Sequence, residues 1–213
     1  MDRIIKEYAS VPFGELNYCF KQGIMYQRDT TASVEYDQQY FENYVHLEGS
    51  EIAEKLNAGR TSITEKYCNS LLDIGIGSGE FIKKSKIHVL GFDINPVGIE
   101  WLKERNLFAD PYVEMPEVDG LTFWDAIEHF SDPNALLSLI RPGMYAFVSL
   151  PIFDNLLKIR QSKHYKPNEH YLYFTALGLI EFFNDSGFNL VEMSDQEMRA
   201  GRDSIGTFVF RKF

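Results

Sequence analysis

The sequence is poor in cysteine, in basic residues and in long apolar runs, and each shortage excludes a class of protein. Cys19 and Cys68 are the only cysteines among 213 residues, so neither a disulfide framework nor a cysteine-rich zinc site is expected. Lys and Arg number 21 against 31 Asp and Glu, a net charge of −10, which argues against broad non-specific binding to nucleic acid or anionic membranes. No apolar run approaches the roughly 18 residues of a membrane span, and the opening Met-Asp-Arg lacks the apolar region of a signal peptide. We therefore expect a cytoplasmic protein with no membrane partner and no metal.

From about residue 68 onward, short apolar runs alternate with helical segments. Strands are predicted at 71–74, 87–92, 112–115, 120–124, 144–150, 188–193 and 205–210, and helices at 80–85, 96–105, 134–140 and 175–185. This alternation predicts an α/β Rossmann-like open sheet, mostly parallel, with helices on both faces. The last two strands are joined without a helix, so one C-terminal strand is expected to be antiparallel.

The chain divides into two predicted parts. Residues 1–66 show no strand alternation, and we expect a helical N-terminal cap or lid before a main domain over 67–213. A helix is expected over 50–57, with Ser50 as its N-cap and Gly59 just past its end. Residues 152–173 interrupt the alternation with a polar, aromatic and basic insertion, which is expected to form part of the substrate site.

Three tyrosines of the N-terminal part recur at helical spacing. Tyr36, Tyr40 and Tyr44 lie four residues apart and would share one face of a helix. Such a stripe either packs on the main domain or closes as a lid over a cationic cofactor.

The stretch 71–80, Leu-Leu-Asp-Ile-Gly-Ile-Gly-Ser-Gly-Glu, is a strand followed by a glycine turn and a helix start. Gly75, Gly77 and Gly79 lack the Cβ atoms that would keep a ligand away from the backbone. Asp93 ends the second strand, where its carboxylate can accept hydrogen bonds from both hydroxyls of a ribose. The pattern therefore predicts a nucleotide or nucleoside cofactor.

Two acidic residues narrow the choice of cofactor. A dinucleotide fingerprint would have glycine at position 80, where this chain has Glu80, and a carboxylate there would repel a pyrophosphate. Asp73, directly before the turn, favours a ligand with positive charge, such as an α-amino group or a sulfonium. Both features indicate S-adenosylmethionine and disfavour a nicotinamide dinucleotide.

The sequence resembles the class I S-adenosylmethionine-dependent methyltransferases, in particular the small-molecule enzymes of the ubiquinone-biosynthesis type. Residues 73–79 resemble their first motif, and residues 124–133 are similar to the segment after their fourth strand. Residues 167–175 and 206–208 are similar to later stretches of that group. The resemblance implies cofactor contacts in three places: at Asp73, Gly75, Gly77 and Gly79 in the turn, at Asp93 and Ile94 after the second strand, and at Asp125 after the fourth. It also implies an acid near the adenine, for which Asp110, Glu114 and Glu117 compete.

Methyl transfer to a hydroxyl or amine requires removal of a proton, and histidine is a suitable base near neutral pH. His170 lies in the insertion, at the edge of the sheet where ligands bind in such folds. His129 follows the fourth strand, and His164 is the third histidine near this edge. We predict His170 and His129 as catalytic candidates, with a purely structural role as the alternative for each.

The insertion carries a local excess of positive charge from Lys158, Arg160, Lys163 and Lys166. This run is either a solvated face or a site for an anionic acceptor, with nearby tyrosines stacking on an aromatic ring. The predicted function is methyl transfer to an oxygen, nitrogen or carbon atom of a small molecule. A nucleotide or RNA methyltransferase that uses the basic insertion and a non-catalytic cofactor-binding module are the alternatives.

Overall fold

The computed structural model describes residues 10–19, 23–27, 37–38, 41–42, 48–167 and 169–213. The strands are β1 (Ser10–Phe13), β2 (Leu16–Cys19), β3 (Ile24–Gln27), β4 (Ser70–Ile74), β5 (His88–Phe92), β6 (Gly120–Trp124), β7 (Tyr145–Pro151), β8 (Leu172–Phe174), β9 (Phe188–Ser194) and β10 (Ile205–Lys212). The helices are α1 (Glu51–Glu65), α2 (Glu80–Lys84), α3 (Pro96–Glu104), α4 (Pro133–Leu137), α5 (Ala176–Asp185) and α6 (Gln196–Arg199), with 3₁₀ helices η1 (Ile127–His129) and η2 (Leu156–Gln161).

Six strands form the main sheet in the order β5-β4-β6-β7-β10-β9. Strands β5, β4, β6 and β7 are parallel neighbours, and β10 runs antiparallel between β7 and β9. The predicted α/β sheet with one antiparallel C-terminal strand is therefore confirmed. Because β4, β5 and β6 are parallel, their carboxyl ends lie at one edge, where the loops that follow them meet.

A second, smaller sheet corrects the prediction that residues 1–66 are helical. Strands β1, β2 and β3 form an antiparallel meander, and β3 pairs with β8 of the insertion, with Met25 opposite Tyr173. These strands have only four residues each, and β3 is buried at every position, so no alternation marks them in the sequence. Their partner strand lies far away in the chain, and this pairing stabilises them. The residues Tyr36, Tyr40 and Tyr44 lie outside the described part of the chain.

One helix end and one expected strand also differ from the sequence-based prediction. Helix α1 begins at the predicted N-cap, where the Ser50 hydroxyl accepts from the Ala53 N–H at 3.2 Å, but it continues through Gly59 to Glu65. Buried residues such as Ile63 lie beyond Gly59, and their packing outweighs the roughly 1 kcal/mol cost of a glycine in a helix. No strand forms over 112–115; instead the Glu114 N–H donates to the Asp110 carbonyl at 3.0 Å and makes a turn.

Apolar side chains cover both faces of the main sheet. One cluster includes Leu121, Phe123 and Phe183, and the opposite cluster includes Leu71, Trp124 and Phe147. In the described part of the chain, every helix is too short or too polar to cross a membrane. The two-sided burial fixes the parallel strands rigidly and so holds the loops at their carboxyl ends in place.

Candidate active site

A cavity of about 500 Å³ lies at the carboxyl ends of β4, β5 and β6. Its volume is within the roughly 300–1,000 Å³ of typical small-molecule sites. Helix α1 forms one wall through Ile52, Ala53, Leu56 and Arg60, and the loops after the three strands form most of the rest, with Phe41 and Arg202 added from elsewhere in the chain. Seven predicted site residues line it: Asp73, Gly75, Gly77, Asp93, Ile94, Asp125 and His129. Gly79 and His170 are outside the lining.

The glycine turn has the backbone conformation that only glycine adopts readily. Gly75, Gly77 and Gly79 have φ of 76°, 56° and 74°, all in the left-handed region. A Cβ on Gly79 would lie 2.7 Å from the Trp101 ring. Gly79 thus permits close packing of α2 against α3, whereas Gly75 and Gly77 expose backbone to the cavity.

Asp73 is a buried carboxyl at the end of β4. Its side chain is almost fully enclosed, and the Thr122 hydroxyl donates to Oδ1 at 2.6 Å. Burial raises the pKa of Asp73 to about 7, although the Thr122 hydrogen bond and the Arg60 charge oppose this rise. The group is therefore poised to ionise when a positive charge enters the cavity.

Asp93 lies at the end of β5 and is held by backbone donors. The Asn95 N–H donates to Asp93 Oδ1 at 2.8 Å. Burial raises its pKa, and backbone N–H groups of residues 76, 77, 94 and 95 work in the opposite direction. A Cβ on Gly98 would lie 3.2 Å from the Asp93 carboxyl carbon, so the glycine in α3 leaves room for this side chain.

Asp125 belongs to an ion-pair network that the sequence did not predict. Arg202 donates to both Asp125 oxygens, at 2.7 and 2.9 Å, and Arg60 reaches Asp125 Oδ2 at 3.4 Å. Both arginines also bind Glu197 of α6, whose side chain is 1% exposed. Burial alone would raise the pKa of Asp125, but Arg202 and Arg60 hold it below its usual value. Asp125 therefore lines the cavity with its carboxylate already paired.

Arg60 and Arg202 are two charged residues of the site that the sequence did not predict. The predicted helix ended at residue 57, before Arg60, and Arg202 lies in a turn with no motif. The Arg60 guanidinium also lies over the Trp124 ring, 5.0 Å from its centre. Only the length of α1 could have signalled Arg60, because its continuation turns that residue toward the sheet edge.

A family model described as "Methyltransferase domain" matches residues 27–193 of the chain. The chain belongs to this methyltransferase family. Membership confirms the prediction of a methyltransferase enzyme with S-adenosylmethionine as its cofactor. No curated protein matches the sequence.

Solved structures of methyltransferases share the fold. The chain is similar to an S-adenosylmethionine-dependent methyltransferase from Archaeoglobus fulgidus, with 19% identity, coverage of 81% of this chain and 99% of that one, and a TM-score of 0.58. It is also similar to 1,6-didemethyltoxoflavin-N1-methyltransferase from Burkholderia thailandensis, solved with its substrate and S-adenosylhomocysteine (16% identity, 93% and 99% coverage, TM-score 0.54). Human N-acetylserotonin methyltransferase, solved with S-adenosylmethionine, is 17% identical, with 84% and 60% coverage and a TM-score of 0.56.

The residues of this methyltransferase fit the cofactor. The left-handed glycines open the backbone to a ligand, and the buried Asp73 carboxyl accommodates a nearby cation better than an anion. Glu80 also lines the cavity, which disfavours a phosphate at the start of α2. The cavity residues therefore suit a nucleoside that carries a positive charge and no phosphate, as S-adenosylmethionine does.

The two predicted histidines lie together. Their rings meet edge to face, with centres 4.6 Å apart, but only His129 faces the cavity, and His170 is buried behind it at 4% exposure. Burial lowers the pKa of both rings, that of His170 to about 3. Both imidazoles are therefore neutral at pH 7. His164 lies apart from them, with Nε2 hydrogen-bonded to the Asp203 carbonyl at 2.9 Å.

The remaining candidates lie away from the cavity wall. Asp110 accepts from the Tyr112 N–H at 2.9 Å, and the exposed Glu117 pairs with Arg141 at 3.3 Å; neither they nor Glu114 line the cavity. In the basic insertion, Lys163 pairs with Asp203 and Lys166 with Glu169, each at 3.1 Å. Two of its four positive charges are thus already balanced by acids.

Proposed function

We propose that this enzyme methylates an oxygen, nitrogen or carbon atom of a small molecule bound in the cavity beside His129. The observation that carries the proposal is the cavity itself, because the glycine turn, Asp73, Asp93 and the neutral His129 all line one space. The similar structures from Burkholderia and human are named for 1,6-didemethyltoxoflavin and N-acetylserotonin, which are small molecules. The similarity of residues 124–133 to the ubiquinone-biosynthesis-type branch supports the same class of acceptor.

The cofactor-holding residues follow from their positions at the strand ends. Asp93 and Ile94 would bind the adenosine, with the Asp93 carboxylate accepting from the ribose hydroxyls. Asp73, Gly75 and Gly77 would hold the methionine end, since an ionised Asp73 compensates its positive charge. S-adenosylmethionine supplies an electrophilic methyl carbon bonded to a sulfonium. The enzyme's own task is then to orient the acceptor and to accept its proton.

Much of the cavity lining is apolar. Phe41, Ile52, Leu56, Phe92 and Phe130 contribute to it, and such walls suit a flat aromatic or apolar molecule. His129 is the neutral base within this wall. Its Nδ1 lies 3.1 Å from the Glu169 carbonyl, which can only accept, so Nδ1 carries the proton. Nε2 is left as the nitrogen that can accept a proton from the acceptor.

Nucleic acid remains the less favoured acceptor. The net charge is −10, and the ion pairs of Lys163 and Lys166 reduce the positive field of the insertion. Methyl transfer from labelled S-adenosylmethionine, tested on phenols, amines, carboxylates and a short RNA, distinguishes these acceptor classes. Labelling of the RNA alone would overturn the small-molecule assignment.

Cofactor binding tests the site directly. We expect Asp93→Ala to weaken binding of S-adenosylhomocysteine by about 100-fold or more in calorimetry, because two hydrogen bonds to a charged acceptor are lost. Asp110→Ala, at an acid outside the cavity, is the matched control and should bind as the wild type does. Equal affinity of Asp93→Ala and the wild type would refute the ribose assignment.

A further inference from the structure

Three potential metal ligands meet behind the cavity wall. Glu128 and His129 lie on η1, and His170 lies just before β8, yet one potential ligand atom from each lies within 4.8 Å of the other two. Glu128 and His129 are neighbours in the chain, but His170 lies far from them, so no metal was expected from the sequence. The fold brings them together.

Glu128 is the feature that needs an explanation. Its side chain is 1% exposed, and neither carboxylate oxygen has a hydrogen-bond partner among the residues the structure describes. Burying a carboxyl without a partner is strongly unfavourable. A cation held between Glu128 and the two imidazoles would supply the missing partner.

The backbone around the cluster holds the three residues in place. The Tyr171 N–H donates to the Glu128 carbonyl at 2.8 Å, which ties the chain after His170 to η1. The Gln27 amide donates to the His170 carbonyl at 2.7 Å. The Glu169 carbonyl fixes the proton of His129 on Nδ1, and a ligating histidine is commonly oriented by a bond from its other nitrogen. His129 therefore has an orienting contact of the kind that metal sites use, and Glu128 and His170 are held through their backbone.

We propose that Glu128, His129 and His170 bind one divalent first-row transition ion such as Zn²⁺, Fe²⁺ or Co²⁺. Two imidazoles and one carboxylate match the ligand preference of these ions, whereas Mg²⁺ and Ca²⁺ prefer oxygen ligands. Small side-chain rotations must shorten the distances, because atoms bound to one ion at about 2.0–2.2 Å lie closer together. Lys166 is the nearby positive charge that opposes the ion, and its amino group is paired with Glu169 at 3.1 Å.

The site would keep a position open toward the cavity. Three protein ligands leave at least a fourth position free, and of the three residues only His129 lines the cavity. With the ion bound, Nε2 of His129 would be a ligand and could not act as the base. An acceptor oxygen or nitrogen would then bind the ion directly, and this contact would orient the acceptor and favour its deprotonated form. This role rests on the proposed function, whereas binding of the ion does not.

Metal binding can be measured without catalysis. The full-length protein is dialysed against chelator and titrated with Co²⁺, followed by visible absorption, and with Zn²⁺ in a calorimeter. We expect one ion per chain, and a loss of affinity of about 100-fold or more in Glu128→Gln and His170→Gln, since each removes a ligand. Addition of Mg²⁺ at the same concentration should not displace Co²⁺.

His164→Gln is the matched control, because it removes a nearby imidazole that is outside the cluster, and it should bind Co²⁺ as the wild type does. Melting curves in chelator verify that each variant is folded, and His129→Gln replaces any variant that is not. A wild type that binds neither ion, or a folded Glu128→Gln with wild-type affinity, would overturn the proposal. Binding of S-adenosylhomocysteine in chelator is measured in parallel, so that failure of the metal site and failure of the cofactor site are told apart.

Discussion

Asp73→Asn should stabilise the cofactor-free enzyme at alkaline pH. The Asp73 carboxyl is buried and has its pKa raised to about 7, whereas an aspartate in an unfolded chain has a pKa of about 3.9. Above pH 7 the folded enzyme must keep a buried negative charge that the unfolded chain exposes to water. Asparagine has the same shape and keeps an oxygen for the Thr122 hydroxyl, which now donates to Asp73 Oδ1 at 2.6 Å.

The size of the effect follows from the difference in pKa. A difference of about 3 pKa units corresponds to about 4 kcal/mol at pH 8. Burying the asparagine amide costs roughly 1–3 kcal/mol, so the expected net gain is about 2 kcal/mol. For a chain of this length that is a rise in melting temperature of about 4–8 °C.

The effect of Asp73→Asn on stability depends on pH. A raised pKa means that the folded state binds more protons than the unfolded state between about pH 4 and 7. The stability contributed by protonated Asp73 is therefore fully present below about pH 4 and is lost as the pH rises through about 7. Asp73→Asn should gain stability at pH 8 and little or none at pH 5.

Thermal melts of the cofactor-free wild type and variant at pH 5 and pH 8 measure this difference. Asp119→Asn is the control: its carboxylate accepts from the Asn69 and Ser70 N–H groups at the other end of β4, and we expect no gain at pH 8. Binding of S-adenosylhomocysteine should weaken in Asp73→Asn by about 10-fold or more, because the compensating carboxylate is gone. A variant that is equally destabilised at both pH values would refute the reasoning.

Three further predictions concern the surrounding structure. Arg60→Met should lower the free energy of unfolding by about 3–5 kcal/mol in urea titrations, because it leaves the buried Glu197 with one partner fewer. Lys55→Met breaks an exposed pair with Glu51 and should change the free energy of unfolding by less than about 1 kcal/mol. Similar losses in the two variants would contradict the stabilising role of the buried ion pairs. Gly79→Ala should lower the free energy of unfolding by about 2–4 kcal/mol, because φ is positive and a Cβ there would lie 2.7 Å from Trp101. Gly49 also has a positive φ but open space around it, so Gly49→Ala should lower the free energy of unfolding by only about 1 kcal/mol. Cys19 and Cys68 are buried, and burial raises the pKa of Cys68 to about 12. Mass spectrometry should therefore find neither cysteine alkylated at pH 8 until denaturant is added, and rapid labelling of the folded enzyme would contradict this burial.

The local features of the cofactor site could be predicted from the sequence because they depend on neighbours in the chain. The glycine turn after Asp73 and the acid Asp93 at the end of the next strand are set by strand length and backbone conformation. The α/β alternation is similarly local, since apolar runs and helix starts mark each element. The predictions that were wrong concern the short strands β1 to β3 and the end of α1, which have no local signal, and residues 112–115, where a strand was expected and a turn forms.

The sequence by itself thus determined the fold class and the cofactor, because strand, turn and helix starts are coded within a few residues. Tertiary structure alone decided which distant side chains meet at the cavity. It pairs Arg60 and Arg202 with Asp125, joins β3 to β8, and places Glu128 and His129 against His170. Each of these contacts depends on how distant elements of the fold pack together. Burial then changes the pKa of the enclosed groups, so that Asp73, an ordinary acid in water, ionises near pH 7.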